Sequence, residues 1–396
     1  MNYLSGGVNS PIPIPKNFPN NIIAGEGPYV IDKNGQKYID MWMGYGALLF
    51  GHADKEIIQT TSKCLKNGWF FSYQTKIEKD FSSVLHDLIP CAERVRFATT
   101  GSDAVAYAIR AARAYTSRDM VLSVVGGYHG VHEAMIASEG IAFKNKPDLV
   151  HFNNTKESIK AIKTKKYACM ILEPIMANSG CTPPLPGYLQ ALRKACDETN
   201  TVLIFDEVVT GFRINLGGAQ KKYGVTPDLS TFSKAIACGL PLSVVCGKVS
   251  ILDKFIPTGN VFFAGTFNAH PLSLAVGTLV IEMLRDGKIH SRITKLGNRL
   301  RSFISNSINK YDLNACVQGT DSMLTVAFGC KDFVHGISNE KFNQKTYDIF
   351  VKKMAERKIL FPPLPTETVF LSPVHEAVIE KIEKAFDEVF LEIKNL

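Results

Sequence analysis

The chain has 396 residues, 45% of them apolar and 21% charged, with a formal net charge of +8 and nine cysteines. This is an ordinary globular composition, long enough for one large α/β domain and a smaller one, and no apolar run reaches the roughly 18 residues that a membrane span needs. The cysteines are odd in number and contain no C-x-x-C pair, which argues against a disulfide framework or a structural zinc site, and lysines in short clusters such as Lys163, Lys165 and Lys166 suit a solvated face rather than a nucleic-acid surface.

The opening segment, Met1 to Asn21, is rich in Pro, Gly and Asn and has no apolar h-region, so no signal peptide is read and the cytoplasm is the expected location. Strand patterns at Tyr29 to Asp32 and Lys37 to Asp40, joined at Asn34-Gly35, predict a small hairpin. From about Trp42 strands and helices alternate. Arg94 to Ala98 reads as a strand, Asp103 to Tyr115 as a helix, and Met120 to Val125 as a strand ending at Gly126-Gly127. Tyr167 to Leu172 and Thr201 to Phe205 are further apolar runs, separated by the helical pattern Tyr188 to Glu198. This alternation predicts an α/β fold with a mostly parallel sheet covered by helices on both faces. Beyond Leu272 a long helix through Leu284, a strand at Met323 to Phe328, and helices at Lys345 to Arg357 and Val374 to Ile393 predict a second, smaller α/β domain.

Ligands of parallel sheets sit at the carboxyl ends of the strands, so chemistry is sought there. One strand delivers Asp206 and Glu207, whose side chains point to opposite faces and so do not form a convergent pair. A carboxylate there needs a compensating partner; an ordinary salt bridge, to Arg213 for example, is the plain alternative to a catalytic role. Lys234 ends an apolar stretch and is followed by small residues and Gly239. A lysine in so dry a place can lose basicity and act as an amine nucleophile. A strand-end Asp and such a Lys suit pyridoxal phosphate (PLP): the acid keeps the pyridine nitrogen protonated and the amine forms the Schiff base. Thr99-Thr100-Gly101-Ser102 directly before a helix is an anion site, although Gly-Ser is also a common helix cap. Gly126-Gly127-Tyr128-His129-Gly130 lets the backbone approach a ligand and offers an aromatic face, and it is not a dinucleotide fingerprint. His129 and His132 lack a third metal ligand at a supporting spacing, so no metal is expected.

Taken together, these segments resemble the class III, fold-type I PLP aminotransferases, and within them the glutamate-1-semialdehyde 2,1-aminomutase branch. The likeness rests on Gly6-Gly7-Val8-Asn9-Ser10-Pro11, Thr100-Gly101-Ser102-Asp103-Ala104, Gly127-Tyr128-His129-Gly130, Glu173-Pro174-Ile175-Met176-Ala177-Asn178, Phe205-Asp206-Glu207, Thr210-Gly211-Phe212-Arg213, Phe232-Ser233-Lys234 and Gly265-Thr266-Phe267. The resemblance implies that Lys234 carries the cofactor and shuttles protons, Asp206 pairs with the ring nitrogen, Tyr128 stacks on the ring, and Gly101 and Ser102 bind the phosphate. It further implies that Asn178 sits near the ring hydroxyl, that Thr266 reaches the phosphate in the partner subunit of a homodimer with shared active sites, and that Ser10 and Glu367 face the substrate. For Glu367 a solvated loop carboxylate stays open. The implied domains are residues 1–41, joining the small domain, 42–275, binding PLP, and 276–396.

Two departures bear on the substrate. Pro13 stands where the aminomutases carry an Arg that grips a carboxylate, and it offers neither charge nor donor. The segment after Gly130 is shorter than the gating loop of the aminomutases, since Asn153-Asn154 arrives early. The expectation is therefore an aminotransferase that moves an amine from an amino-acid donor, glutamate, to a small carbonyl acceptor, phosphorylated or sugar-derived. The alternatives are an aminomutase or racemase of the same fold and a catalytically silent binding module. Neither nucleic acid nor membrane is expected as a partner.

Overall fold

The structure is a computed structural model that describes residues 21–132, 146–336 and 342–396, with Tyr3, Leu4, Ile12, Pro15, Phe18 and Pro19 before them. Ser10, Pro13, the Gly6–Pro11 motif and most of the segment that replaces the gating loop lie outside the described residues.

In chain order the first half runs β1 (Ile22–Glu26), β2 (Tyr29–Asp32), β3 (Lys37–Asp40), α1 (Lys55–Lys66), α2 (Lys76–Leu88), β4 (Arg94–Ala98), α3 (Gly101–Thr116), β5 (Met120–Val124), β6 (Asp148–Val150), α4 (Thr155–Ile162), β7 (Tyr167–Leu172), α5 (Tyr188–Thr199) and β8 (Val202–Asp206). The second half follows with α6 (Gly218–Tyr223), β9 (Leu229–Phe232), β10 (Ser243–Gly247), α7 (Val249–Leu252), α8 (Pro271–Leu284), α9 (Lys288–Lys310), β11 (Ala315–Thr320), β12 (Met323–Phe328), α10 (Gln344–Glu356), β13 (Ile359–Leu360), β14 (Val369–Phe370) and α11 (Ile379–Lys394).

Seven strands form the main sheet in the order β4-β10-β9-β8-β7-β5-β6. β10 runs antiparallel to β4 and β9, while the other neighbours pair in parallel. Its central strands, Tyr-Ala-Cys-Met-Ile-Leu in β7 and Val-Leu-Ile-Phe-Asp in β8, are buried at every residue, because helices cover both faces and no alternation with polar residues is needed. Helix α3 starts sharply. Thr100 caps the Asp103 amide and Asp103 caps Thr100 in return, a reciprocal pair that satisfies two amides otherwise left open. Its small residues Ala104, Ala108, Ala111 and Ala112 are buried, which lets the helix lie close on the sheet.

The hairpin β2–β3 forms as the sequence predicts, but β1 and the two-residue β13 extend it to a four-stranded sheet. Strands β11, β12 and β14 make a separate antiparallel sheet. Ile39 and Met41 share one core with Leu300, Phe350 and Phe386, so the start of the described chain packs with its end. Helix α8 crosses residue 275 without a break, and its buried Leu274, Val276 and Val280 belong to the core of the large sheet. We therefore propose the domain division at Gly287, between α8 and α9. The helix expected from Val374 begins instead as a 3-10 turn, Pro373–Val378, because Pro373 and the Ser372–His375 cap tighten its start.

Helix α9 shows the apolar spacing of a one-faced helix, with Ile293, Leu296, Leu300 and Ile304 buried. Gly297 lies on that face where α9 meets the turn before β12, and a Cβ there would sit 1.8 Å from the Asp321 carbonyl oxygen. Backbone does not yield to a methyl group cheaply. Gly297→Ala is therefore expected to destabilise the protein by about 1–3 kcal/mol, read as a lower urea midpoint at unchanged slope.

Candidate functional site

Five parallel strands bring their carboxyl ends to one edge of the main sheet, and each end supplies a residue. β4 leads to Gly101 and Ser102, β5 to Tyr128 and His129, β7 to Glu173, β8 to Asp206, and β9 to Lys234. These residues line a cavity of about 190 Å³, with Asn178 and Ser233 beside them.

Lys234, two residues past the end of β9, adopts φ +51°, a left-handed conformation uncommon for a residue with a Cβ. The Ser233 hydroxyl donates to the Leu242 carbonyl at 2.7 Å and pins the preceding residue. Burial pulls the Lys234 amine below the ordinary lysine range, while the nearby Glu173, Glu367 and Asp206 oppose that shift.

Asp206 is buried and oriented by three donors: His129 Nδ1 at 2.8 Å, the Val208 amide at 3.1 Å and the Thr231 hydroxyl at 3.1 Å. The Asp206–Arg213 and Glu207–Arg213 ion pairs that the sequence allowed do not form. Glu207 turns to the other face and accepts from the Ala219 and Gln220 amides, the Gln220 side chain and the Thr210 hydroxyl. Arg213 is fully enclosed and donates to the Gly46 and Leu371 carbonyls at 2.6 and 3.1 Å, so it holds loops together and is not open to a substrate carboxylate.

Gly101 and Ser102 stand in the first turn of α3 at the floor of the cavity. Gly130, at φ +91°, passes so close that a Cβ would lie 2.4 Å from Ser102 Oγ, and the Val131 amide donates to that same hydroxyl at 3.2 Å. Close backbone, a hydroxyl and a helix start make a cradle for an anionic group. Tyr128 stands at the rim, half exposed, with burial and the carboxyls of Glu367 and Asp206 holding its phenol above the ordinary range.

Glu173 is fully buried, accepts from the Tyr128 and Ala177 amides and from Asn178 Nδ2 at 2.9 Å, and is pushed up to about 7 by desolvation. Glu367 is not a solvated loop carboxylate. It is partly buried, its carboxyl is raised by burial, and it feels both the Lys234 amine and the Trp42 indole. The small domain places it: the Thr325 hydroxyl donates to the Glu367 carbonyl, and the next residue, Thr368, donates to the Ala177 carbonyl. Thr266 is exposed and does not line the cavity of the single chain. Ser10 lies outside the described residues.

Two groups escaped the reading of the sequence. The sequence offers His129 only as a metal ligand, and Glu173 only as part of a motif. Glu173 directly follows the end of β7 and His129 directly follows the exposed aromatic Tyr128, the signal that could have found each. No group of three His, Cys, Asp or Glu able to hold a metal occurs among the described residues, and none of their helices is long and apolar enough to cross a membrane.

The residues fit PLP. A partly buried amine of lowered basicity and a buried, triply hydrogen-bonded carboxylate share one cavity with an aromatic face and an anion cradle. Comparison with known proteins agrees. Residues 15–386 match the family described as Aminotransferase class-III. A glutamate-1-semialdehyde 2,1-aminomutase of Methanosphaera stadtmanae is 34% identical over 411 residues, covering 100% of this chain and 96% of the relative. An omega-transaminase of Sphaerobacter thermophilus superimposes with a TM-score of 0.91 at 26% identity, covering 100% of this chain and 95% of that one. A transaminase with PLP bound gives 0.89 at 25% identity, over 99% and 95%.

Two outcomes follow. His129→Phe removes one of the three donors to Asp206, and a hydrogen bond to a charged group is worth about 1.5–3 kcal/mol; PLP affinity in a fluorescence titration of the cofactor-free protein is expected to fall about tenfold or more. The raised Glu173 carboxyl favours folding while protonated, so its contribution is full below the ordinary value of 4.5 and is lost as pH rises towards about 7. Glu173→Gln is expected to flatten the dependence of unfolding free energy on pH across that window in the cofactor-free protein.

Proposed function

Because this chain belongs to the class-III aminotransferases and takes pyridoxal 5′-phosphate as its cofactor, we propose that it catalyses amino-group migration of the glutamate-1-semialdehyde aminomutase type, moving an amine between adjacent carbons of one small substrate. The observation that carries this reading is the end-to-end match, at 34% identity, to relatives bearing that name.

PLP supplies an aldehyde that captures amines and a ring that draws electrons from the substrate carbon. The chain's own residues do the rest. Lys234 holds the cofactor and, once released from it, takes and returns protons at the substrate carbons, a task for which a depressed amine pKa suits it. Asp206, steered by His129 and Thr231, keeps the ring nitrogen protonated. The first turn of α3 with Ser102 takes the phosphate, and Tyr128 covers one ring face. Glu173 orients Asn178 towards the ring hydroxyl. Glu367 sets the charge around the Lys234 amine and faces the substrate, with Ser10 as a further contact. Thr266 reaches the phosphate of a second copy in a homodimer, which accounts for its exposure in the single chain.

A second reading, a two-substrate aminotransferase with glutamate as donor and a phosphorylated or sugar-derived carbonyl as acceptor, is favoured by the missing carboxylate clamp. Pro13 replaces the expected Arg. Every arginine of the chain lies among the described residues, and none lines the cavity.

Product analysis separates the two. The aminomutase reading predicts that holoenzyme given glutamate-1-semialdehyde alone accumulates the isomer with the amine moved from carbon 2 to carbon 1, with no second substrate. Release of 2-oxoglutarate from glutamate, without that isomerisation, would establish the aminotransferase instead. Glu367→Gln is expected to lower kcat by about 10²-fold or more while PLP stays bound, as for loss of a group that steers proton transfer.

A further inference from the structure

All nine cysteines are free, and six of them are buried. The other three, Cys64 on α1, Cys316 and Cys330, are half-buried, and the last two lie together. Cys316 lies on β11, Cys330 follows the end of β12, both are half-buried, and their sulfurs are 3.7 Å apart. They pack in a small satellite cluster with Ala327, Phe333 and Phe342.

The segment that Cys330 begins, residues 330–336, is a strap laid from the small domain onto the large one. Asn153 Nδ2 donates to the Val334 carbonyl at 2.8 Å, and His335 Nδ1 lies 2.7 Å from the Phe152 carbonyl. Phe333 presses on Gly180 so closely that a Cβ there would meet its ring at 2.3 Å. Gly180 stands two residues after Asn178, and its amide donates to the carbonyl of Thr366, the neighbour of Glu367. From β11, Gln318 shares a face with Cys316 and donates to the Thr182 hydroxyl at 3.0 Å. The sulfur pair therefore sits behind both segments that bring Asn178 and Glu367 to the cavity.

We propose that Cys316 and Cys330 form a reversible thiol–disulfide pair, oxidised by a small disulfide such as oxidised glutathione, which ties the strap to β11. The Cys330 thiolate attacks one sulfur of the oxidant, forming a mixed disulfide and releasing one glutathione thiol. Cys316 then attacks Cys330 Sγ, loses its proton to solvent and releases the second. Two protein thiols are oxidised and one glutathione disulfide is reduced to two thiols. Bonding needs the sulfurs to close from contact to about 2.05 Å, a side-chain rotation on a half-exposed loop. Cys316 beside it holds the Cys330 thiol below the ordinary thiol value, which supplies the attacking thiolate. Cys91, just before β4, and Cys246, on β10, are as close, 3.8 Å, but both are buried in the core of the large sheet beyond reach of an oxidant, and burial raises the Cys246 thiol.

The test treats the holoenzyme with oxidised glutathione. The expected result is the loss of two of the nine free thiols, a linked Cys316–Cys330 peptide in the digest, slower amide exchange over 330–336 and 177–182, and reversal of all three by dithiothreitol. Cys316→Ser should stop at a glutathione adduct on Cys330, and Cys330→Ser should give no linked peptide. An unchanged thiol count, a link between any other pair, or a disulfide-linked Cys330 peptide in Cys316→Ser would overturn the pair. A Cys316–Cys330 link with unchanged exchange would overturn its hold on the strap.

Discussion

A partly buried amine beside three carboxyl groups is the constraint on which the site depends. Desolvation drives Lys234 towards the neutral form, and Glu173, Glu367 and Asp206 pull it back. The outcome favours desolvation, which leaves an amine that is nucleophilic yet still able to hold a proton. The carboxyls are themselves disciplined. Glu173 spends its lone pairs on two amides and Asn178, and Asp206 on His129, Val208 and Thr231, so neither needs to form a tight ion pair with the lysine.

The parallel sheet is what allows this crowding. Strands such as β7 and β8, buried along their whole length, end together at one edge, so polar groups appear only where the chain leaves the sheet. The small domain then closes the arrangement from the other side. Glu367 arrives on a segment held by Thr325 and Thr368, and Arg213 ties the Gly46 and Leu371 loops behind it. The site therefore belongs to the junction of two cores.

Much of this was legible in the sequence, and what was not has physical reasons. Strands Arg94–Ala98, Tyr167–Leu172 and Met323–Phe328 were readable to the residue: the first alternates charged and apolar side chains, and the other two are apolar runs too short for a helix. Lys234 and Asp206 stood out as charges at the ends of such runs. The two-residue β13 has no pattern of its own and exists because β3 offers it an edge. Arg213 could be suspected of an ion pair but not assigned to backbone carbonyls, since carbonyl partners leave no trace in side-chain identity. Glu367 could not be told from a solvated loop residue until the fold set Trp42 and Lys234 beside it. The same limit separates the two functional readings: Pro13 points away from a carboxylate clamp, whereas the whole-chain likeness points towards enzymes named for a carboxylate substrate.

The central claim is that the Lys234 amine is the group that holds PLP. Borohydride reduction of the yellow holoenzyme, followed by digestion and peptide mass analysis, addresses it at a single atom. The account predicts a pyridoxyl group on the peptide containing Lys234 and none after Lys234→Ala. A pyridoxyl group fixed on any other lysine of the native protein would contradict it.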